Sequence, residues 1–164
     1  MTPIRFPVGL LATVLALGWS FRSARAELDL EYSYCAGNAL PEIRISNCTA
    51  VIESGNVSEQ ARRTSFANRG QAYQSEGKLD NAIADYSQAI RIDPQYAYAY
   101  ANRGSAFQQK GDFNSATDDY NRAITLNPQN EFAYRNLGQL YVSKAAREEN
   151  DELVNKLLDQ AIYY

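Results

Sequence analysis

The 164-residue sequence contains no histidine and only two cysteines. Histidine is the commonest general base in enzymes, and two thiols alone make a poor zinc site. The chain also lacks a glycine-rich phosphate-binding loop and a nucleophile elbow, the short motifs typical of many nucleotide-binding proteins and hydrolases. These absences predict a protein that is not an enzyme and that uses no metal and no cofactor.

Positive charge is scarce as well. Lysine and arginine number 16 against 19 aspartates and glutamates, which gives a formal net charge of −3. Three of the arginines lie in residues 1–26, where there is no acidic side chain, so the remainder carries about −6. Nucleic acids and anionic lipid surfaces attract basic proteins. The charge balance therefore predicts that neither is a partner.

No apolar run reaches the roughly 20 residues that a membrane-spanning helix needs. The apolar stretch at 7–19 follows Arg5 and precedes a segment that ends in Ala-x-Ala at Ala26. This three-part pattern is typical of a secretory signal. We predict a signal peptide at 1–26, cleaved after Ala26, and a periplasmic or secreted location in a Gram-negative bacterium. An uncleaved N-terminal anchor is the alternative.

The two cysteines, Cys35 and Cys48, lie 13 positions apart near the predicted mature N-terminus. Paired cysteines in an oxidising compartment usually form a disulfide, and this one closes a loop that contributes about 3 kcal/mol in the chain-entropy model. A redox or metal-binding pair is the alternative. We predict a structural disulfide.

One phrase recurs along the chain: FANRGQAY at 66–73, YANRGSAF at 100–107 and YRNLGQLY at 134–141. Each start lies 34 residues after the previous one, and a gapless alignment of 63–96 with 97–130 gives 14 identities. A fixed period of this length indicates a stacked helical array.

Each unit has the pattern of two helices. Phe66, Gly70 and Tyr73 recur at helical spacing, and Gly77 is placed to end that helix. A second apolar stripe follows, and Pro94 breaks the chain before the next unit. Glycine costs a helix roughly 1 kcal/mol, so we expect Gly70 to permit a close approach of the second helix.

These units resemble tetratricopeptide repeats. The matching positions are Phe66/Tyr100, Gly70/Gly104, Tyr73/Phe107, Ala82/Ala116, Tyr86/Tyr120, Ala89/Ala123 and Pro94/Pro128. The sequence departs from the family pattern at Arg69 and Arg103, where leucine is commonest. The resemblance implies an all-α fold, a short right-handed superhelical array of antiparallel helix pairs (a TPR solenoid).

The resemblance also divides the chain. After the signal at 1–26 we place an N-terminal disulfide-tied cap with one helix at 27–62, similar to the Cys-containing caps of small exported bacterial members of the family. Repeats follow at 63–96 and 97–130, and a degenerate third repeat with a four-residue insertion occupies 131–164.

The first helix of each pair is expected to line a concave groove. The residues predicted to face it are Asn68, Asn102, Asn136, Thr64, Tyr98, Phe132, Gln71, Ser105, Gln139, Gln74 and Gln108. In related repeat proteins an asparagine ladder holds an extended peptide, and a carboxamide can pair with any peptide backbone. The Lys/Arg clamp of chaperone-binding members is missing, because Ala67, Gln71, Ala101 and Ser105 occupy the groove positions.

A packing role is the alternative for this phrase. The asparagines could bond a neighbouring helix, and Arg69 and Arg103 could pair with Asp85 and Asp119, which recur with them. We expect these pairs to be exposed and worth ~0–1 kcal/mol each.

Two functions fit the sequence. The first is an adaptor or scaffold of the cell envelope that holds an extended peptide or helix of an unidentified protein partner. The second is a structural protein that forms a homodimer through an uncapped C-terminal repeat, where Tyr163 and Tyr164 would add apolar surface.

Overall fold

The computed structural model describes residues 39–55 and 57–146, together with the single residues 35, 37, 155, 156 and 159. Within them the chain forms six helices and no strand, as the all-α prediction requires. The helices are α1 (Pro41–Glu53), α2 (Glu59–Ser75), α3 (Leu79–Ile92), α4 (Ala97–Lys110), α5 (Phe113–Leu126) and α6 (Glu131–Ala145).

Several predicted features lie outside the described residues. They are the signal peptide at 1–26, the insertion and second helix of the third repeat, and the dimer contact at Tyr163 and Tyr164. Among the helices of the described part, none is long and apolar enough to cross a membrane.

The helix ends follow from local chemistry. Gly111 closes α4 with a φ of 83°, a left-handed conformation that glycine adopts without strain. The amide of Asp112 then donates to the carbonyl of Phe107 at 2.9 Å. The Asp112 side chain caps the next helix by accepting from the amide of Ser115. One short segment therefore ends α4, reverses the chain and starts α5, which makes the pair antiparallel.

Each pair is held by a tyrosine against a glycine. Tyr86 and Tyr120 are fully buried. A Cβ atom built on Gly70 or Gly104 would lie 3.0 Å from the ring carbons of Tyr86 or Tyr120. A larger residue would therefore require the tyrosine ring, or the helix that carries it, to shift by a few tenths of an ångström, in agreement with the close approach expected at glycine.

The helices stack in chain order, and the first helices of successive pairs also touch. Contacts join α2 to α4 and α4 to α6, whereas α3 and α5 do not touch within the part of the chain described. Because successive helix pairs come closest together at their first helices, the array curves toward the side that these helices occupy. The concave face is therefore built from α2, α4 and α6.

The arginines that depart from the family pattern bind three helices together. The guanidinium of Arg103 donates to both oxygens of Asp119 at 2.8 Å and to the hydroxyl of Ser87 on the preceding helix at 3.0 Å. Arg69 repeats this arrangement with Asp85, both at 2.8 Å, and with Thr49 of α1, also at 2.8 Å.

The pairing with aspartate was expected, but the expected exposure is wrong. The side chains of Asp85 and Asp119 are only 7% and 8% exposed. They lie between the helices of a pair. The stabilisation of ~0–1 kcal/mol expected for an exposed ion pair therefore does not apply to these two pairs. The matching roles of Thr49 and Ser87 also show that α1 packs on α2 as α3 packs on α4.

The N-terminal helix is tied to the chain that precedes it. A disulfide joins Cys35 to Cys48, with their Cα atoms 4.8 Å apart. Cys48 and Val51, three residues apart on α1, are both fully buried.

Candidate functional site

Nine of the predicted groove residues lie on the first helices of the pairs, and we call this set the groove row. Its members at equivalent positions of α2, α4 and α6 are Thr64, Asn68 and Gln71; Tyr98, Asn102 and Ser105; and Phe132, Asn136 and Gln139. Spacings of four and three residues keep each trio on one helical face. Since these helices build the concave side, the groove row runs across all three repeats.

The asparagines at its centre are half-buried and keep hydrogen-bonding capacity. The side-chain amide of Asn102 donates to the carbonyl of Tyr98 at 2.8 Å, and that of Asn136 donates to the carbonyl of Phe132 at 2.6 Å. Both bonds lie within one helix, so the neighbouring-helix bond considered for these residues is not what holds them. Each bond orients the carboxamide and leaves its oxygen available as an acceptor; Asn102 also hydrogen-bonds the Tyr98 phenol.

Two large aromatic side chains flank the asparagines. Tyr98 and Phe132 are 40% and 37% exposed. Thr64 occupies the equivalent position in the first repeat, and its hydroxyl donates a hydrogen bond to the carbonyl of Gln60 at 2.9 Å. The second and third repeats therefore offer apolar contact area that the first repeat does not.

Gln74 and Gln108, which were also predicted to face the groove, form hydrogen bonds within the array. Gln74 accepts from the hydroxyl of Tyr86 at 3.0 Å and donates to Ser105 at 3.0 Å, so it connects two repeats. Gln108 accepts from the hydroxyl of Tyr120 at 2.7 Å. Burial raises the pKa of both tyrosine hydroxyls far above the usual value for tyrosine, which keeps them protonated as donors.

No member of the groove row is charged. The surface consists of amides, hydroxyls and two aromatic rings. Among the described residues no group of three or more His, Cys, Asp or Glu side chains is close enough to hold a metal ion. The chemistry of the row is therefore hydrogen bonding and apolar contact.

One residue that sequence reasoning missed reaches this surface from the cap. The guanidinium of Arg44 on α1 donates to the side-chain oxygen of Gln71 at 3.1 Å. Burial raises the pKa of the Tyr98 phenol, and the nearby Arg44 charge partly offsets that rise. Arg44 lies outside the repeats, so no repeat-based pattern could have indicated it.

An array of stacked helix pairs with a polar surface along its concave side defines a helical-repeat protein of the binding type. Comparison with protein-family models gives two matches, a TPR repeat at residues 70–111 and a tetratricopeptide repeat at residues 97–130. The chain belongs to the tetratricopeptide repeat family, whose members are protein–protein interaction modules. A search of the curated proteins found no match.

Solved structures agree with this assignment. The second TPR domain of human RPAP3, solved in complex with the HSP70 peptide SGPTIEEVD, is 31% identical with a TM-score of 0.55, over 61% of this chain and 80% of that one. The first TPR of Spaghetti (RPAP3), bound to the HSP90 peptide SRMEEVD, is 25% identical with a TM-score of 0.57, over 66% and 81%. MamA is 21% identical with a TM-score of 0.66, over 98% and 95%, and shares the fold.

Proposed function

We propose that this protein is an adaptor that holds an extended segment of a partner protein along the groove row. The observation that carries the proposal is the asparagine column, one partly free carboxamide at the same place in each of three stacked helices. An extended peptide presents backbone donors and acceptors at regular intervals, and carboxamides satisfy both kinds.

The surroundings of the column support an extended segment of low charge. The row has no ionised side chain, so a ligand need not bring a matching charge for each repeat. Tyr98 and Phe132 offer exposed ring surface to apolar side chains of the ligand. The structures of RPAP3 and Spaghetti support a peptide ligand, since both TPR domains were solved with short peptides bound.

We further propose that the adaptor works in the cell envelope. The signal pattern of residues 1–26 supports export, and a disulfide between Cys35 and Cys48 is stable in an oxidising compartment.

The location has a direct test. After expression of the full chain in a Gram-negative host, we expect the purified protein to begin at Glu27. We also expect it to be recovered from the periplasmic fraction or from the culture medium. Mass spectrometry of the intact protein and cell fractionation measure both. A chain that retains Met1 and stays in the cytosol would contradict the envelope proposal and leave the groove proposal untouched.

Removing the asparagine column should abolish partner binding. With alanine at Asn68, Asn102 and Asn136, each lost backbone hydrogen bond costs about 1 kcal/mol, so the three together weaken binding about 100-fold. The measurement is quantitative mass spectrometry of proteins captured from envelope extract by the wild-type and the triple variant.

The matched control replaces three asparagines outside the groove row, Asn81, Asn114 and Asn121, which lie on the second helices α3 and α5. It should capture the same partner as the wild type. Equal capture by all three baits, with circular dichroism showing each folded, would assign the column to packing alone.

A further inference from the structure

Arg44 is held in place by two neutral acceptors. One terminal nitrogen of its guanidinium donates to the carbonyl of Gly37 at 2.7 Å, and the other donates to Gln71 at 3.1 Å. Gln71 belongs to the groove row, so the side chain extends from the cap to the first-repeat end of the groove.

The disulfide fixes this arrangement. Arg44 and Cys48 are four residues apart on α1 and therefore lie on the same helical face. The bond from Cys48 to Cys35 brings the preceding chain against that face, and the Gly37 carbonyl follows two residues later. The orientation of Arg44 thus depends on a loop that the disulfide closes.

The charge of Arg44 is not neutralised within the described part of the chain. No carboxylate there lies within ion-pair distance of it, whereas Arg69 is paired with Asp85 and Arg103 with Asp119. Among the described residues each terminal nitrogen makes one hydrogen bond and keeps a second N–H, while the Nε is enclosed by protein. A fixed, half-buried guanidinium with two free donors suits a carboxylate.

We infer that Arg44 is an anion-recognition site at the cap end of the groove, and that it binds a carboxylate of the segment held there. The carboxylate is either an acidic side chain or the free C-terminus of the ligand. Since the rest of the groove row is neutral, this contact sets the direction in which the segment lies. The inference rests on the proposed function, because it names one chemical requirement of the same groove.

The test uses a display library of random 12-residue peptides, selected on the full-chain protein and on two variants. Arg44→Gln removes the charge, and Arg91→Gln is the matched control, an exposed arginine in the last turn of α3. We expect peptides selected by the wild type and by R91Q to be enriched in Asp or Glu at one end, and peptides selected by R44Q to lose that enrichment.

The best-selected peptide is then synthesised in three forms: unchanged, with its terminal acidic residues as amides, and with an amidated C-terminus. One neutralised form should bind the wild type about 5- to 10-fold more weakly, and R44Q should bind all forms equally. The form that loses affinity identifies the source of the carboxylate. The difference should shrink as salt rises, because the contact is partly exposed.

A third variant, Cys35→Ser with Cys48→Ser, tests the role of the loop. It should reduce the preference for acidic peptides while keeping the affinity that depends on the asparagine column.

Several outcomes would overturn the inference. Equal acidic enrichment with R44Q would assign the preference to another site, and a wild-type protein that binds all three forms of the peptide equally well would remove the inference altogether. Peptides that bind through the asparagine column but ignore charge would leave the proposed function intact and refute the site at Arg44. A library without any binder would refute both.

Discussion

Alanine in place of Tyr120 is expected to lower the free energy of unfolding by about 4 kcal/mol. The tyrosine ring is fully buried and fills the space that Gly104 leaves between α4 and α5. Its removal opens a cavity that the neighbouring helices cannot close without a backbone shift. Urea unfolding followed by circular dichroism at 222 nm measures the loss.

Two companion variants show which part of Tyr120 matters. Tyr120→Phe keeps the ring and loses the hydroxyl with its hydrogen bonds to Gln108 and Ser105, so we expect a cost of about 1 kcal/mol. Tyr98→Ala removes an exposed ring of the groove row and should cost less than about 1 kcal/mol. If Y120A proved no more destabilising than Y98A, the contact between tyrosine and glycine would not be what holds the pair.

Asp119→Ala is expected to cost about 3 kcal/mol, near the lower end for a broken buried ion pair. The Asp119 carboxylate is nearly buried, and its loss leaves the Arg103 guanidinium without its counter-charge between three helices. Arg103 keeps 21% exposure, so water can relieve part of the loss. The same urea titration measures the change.

The third repeat suggests the compensating change. The residue 34 positions after Arg103 is Leu137, which is fully buried, and with the four-residue insertion the residue equivalent to Asp119 is Leu157. We therefore expect the double variant R103L/D119L to recover most of the stability that D119A loses. Asp80→Ala breaks the exposed pair with Lys110 and should cost at most about 1 kcal/mol. A double variant as unstable as D119A would show that leucine cannot replace the ion pair here.

The fold was predictable because it repeats. A 34-residue period requires each unit to present the same packing face, so Gly104 and Tyr120 could be assigned from their recurrence alone. The helix ends followed from glycine and proline at fixed places. The burial of Asp119 could not be predicted, since the sequence pattern contains the ion pair but does not show how deeply the carboxylate lies between the helices.

The helices that carry the predicted groove residues followed from the repeat, whereas several side-chain contacts near them did not. Helical spacing placed Asn68, Asn102 and Asn136 on one face, and the structure aligns α2, α4 and α6 accordingly. Whether they contact a ligand stays a prediction. Gln74 and Gln108 are tied to buried tyrosines, a contact across 12 residues that helical spacing does not reveal. Arg44 depends on how the cap folds back, which no local pattern encodes.

The uneven contacts of the array have a mechanical consequence. Successive first helices touch, while α3 and α5 do not. The first helices are already in contact, so they resist being brought closer together. The second helices α3 and α5 have space between them and can change their separation more easily. We expect the repeats to change their mutual tilt at low energetic cost, so that the pitch of the array could adapt to the thickness of the segment that we propose it holds.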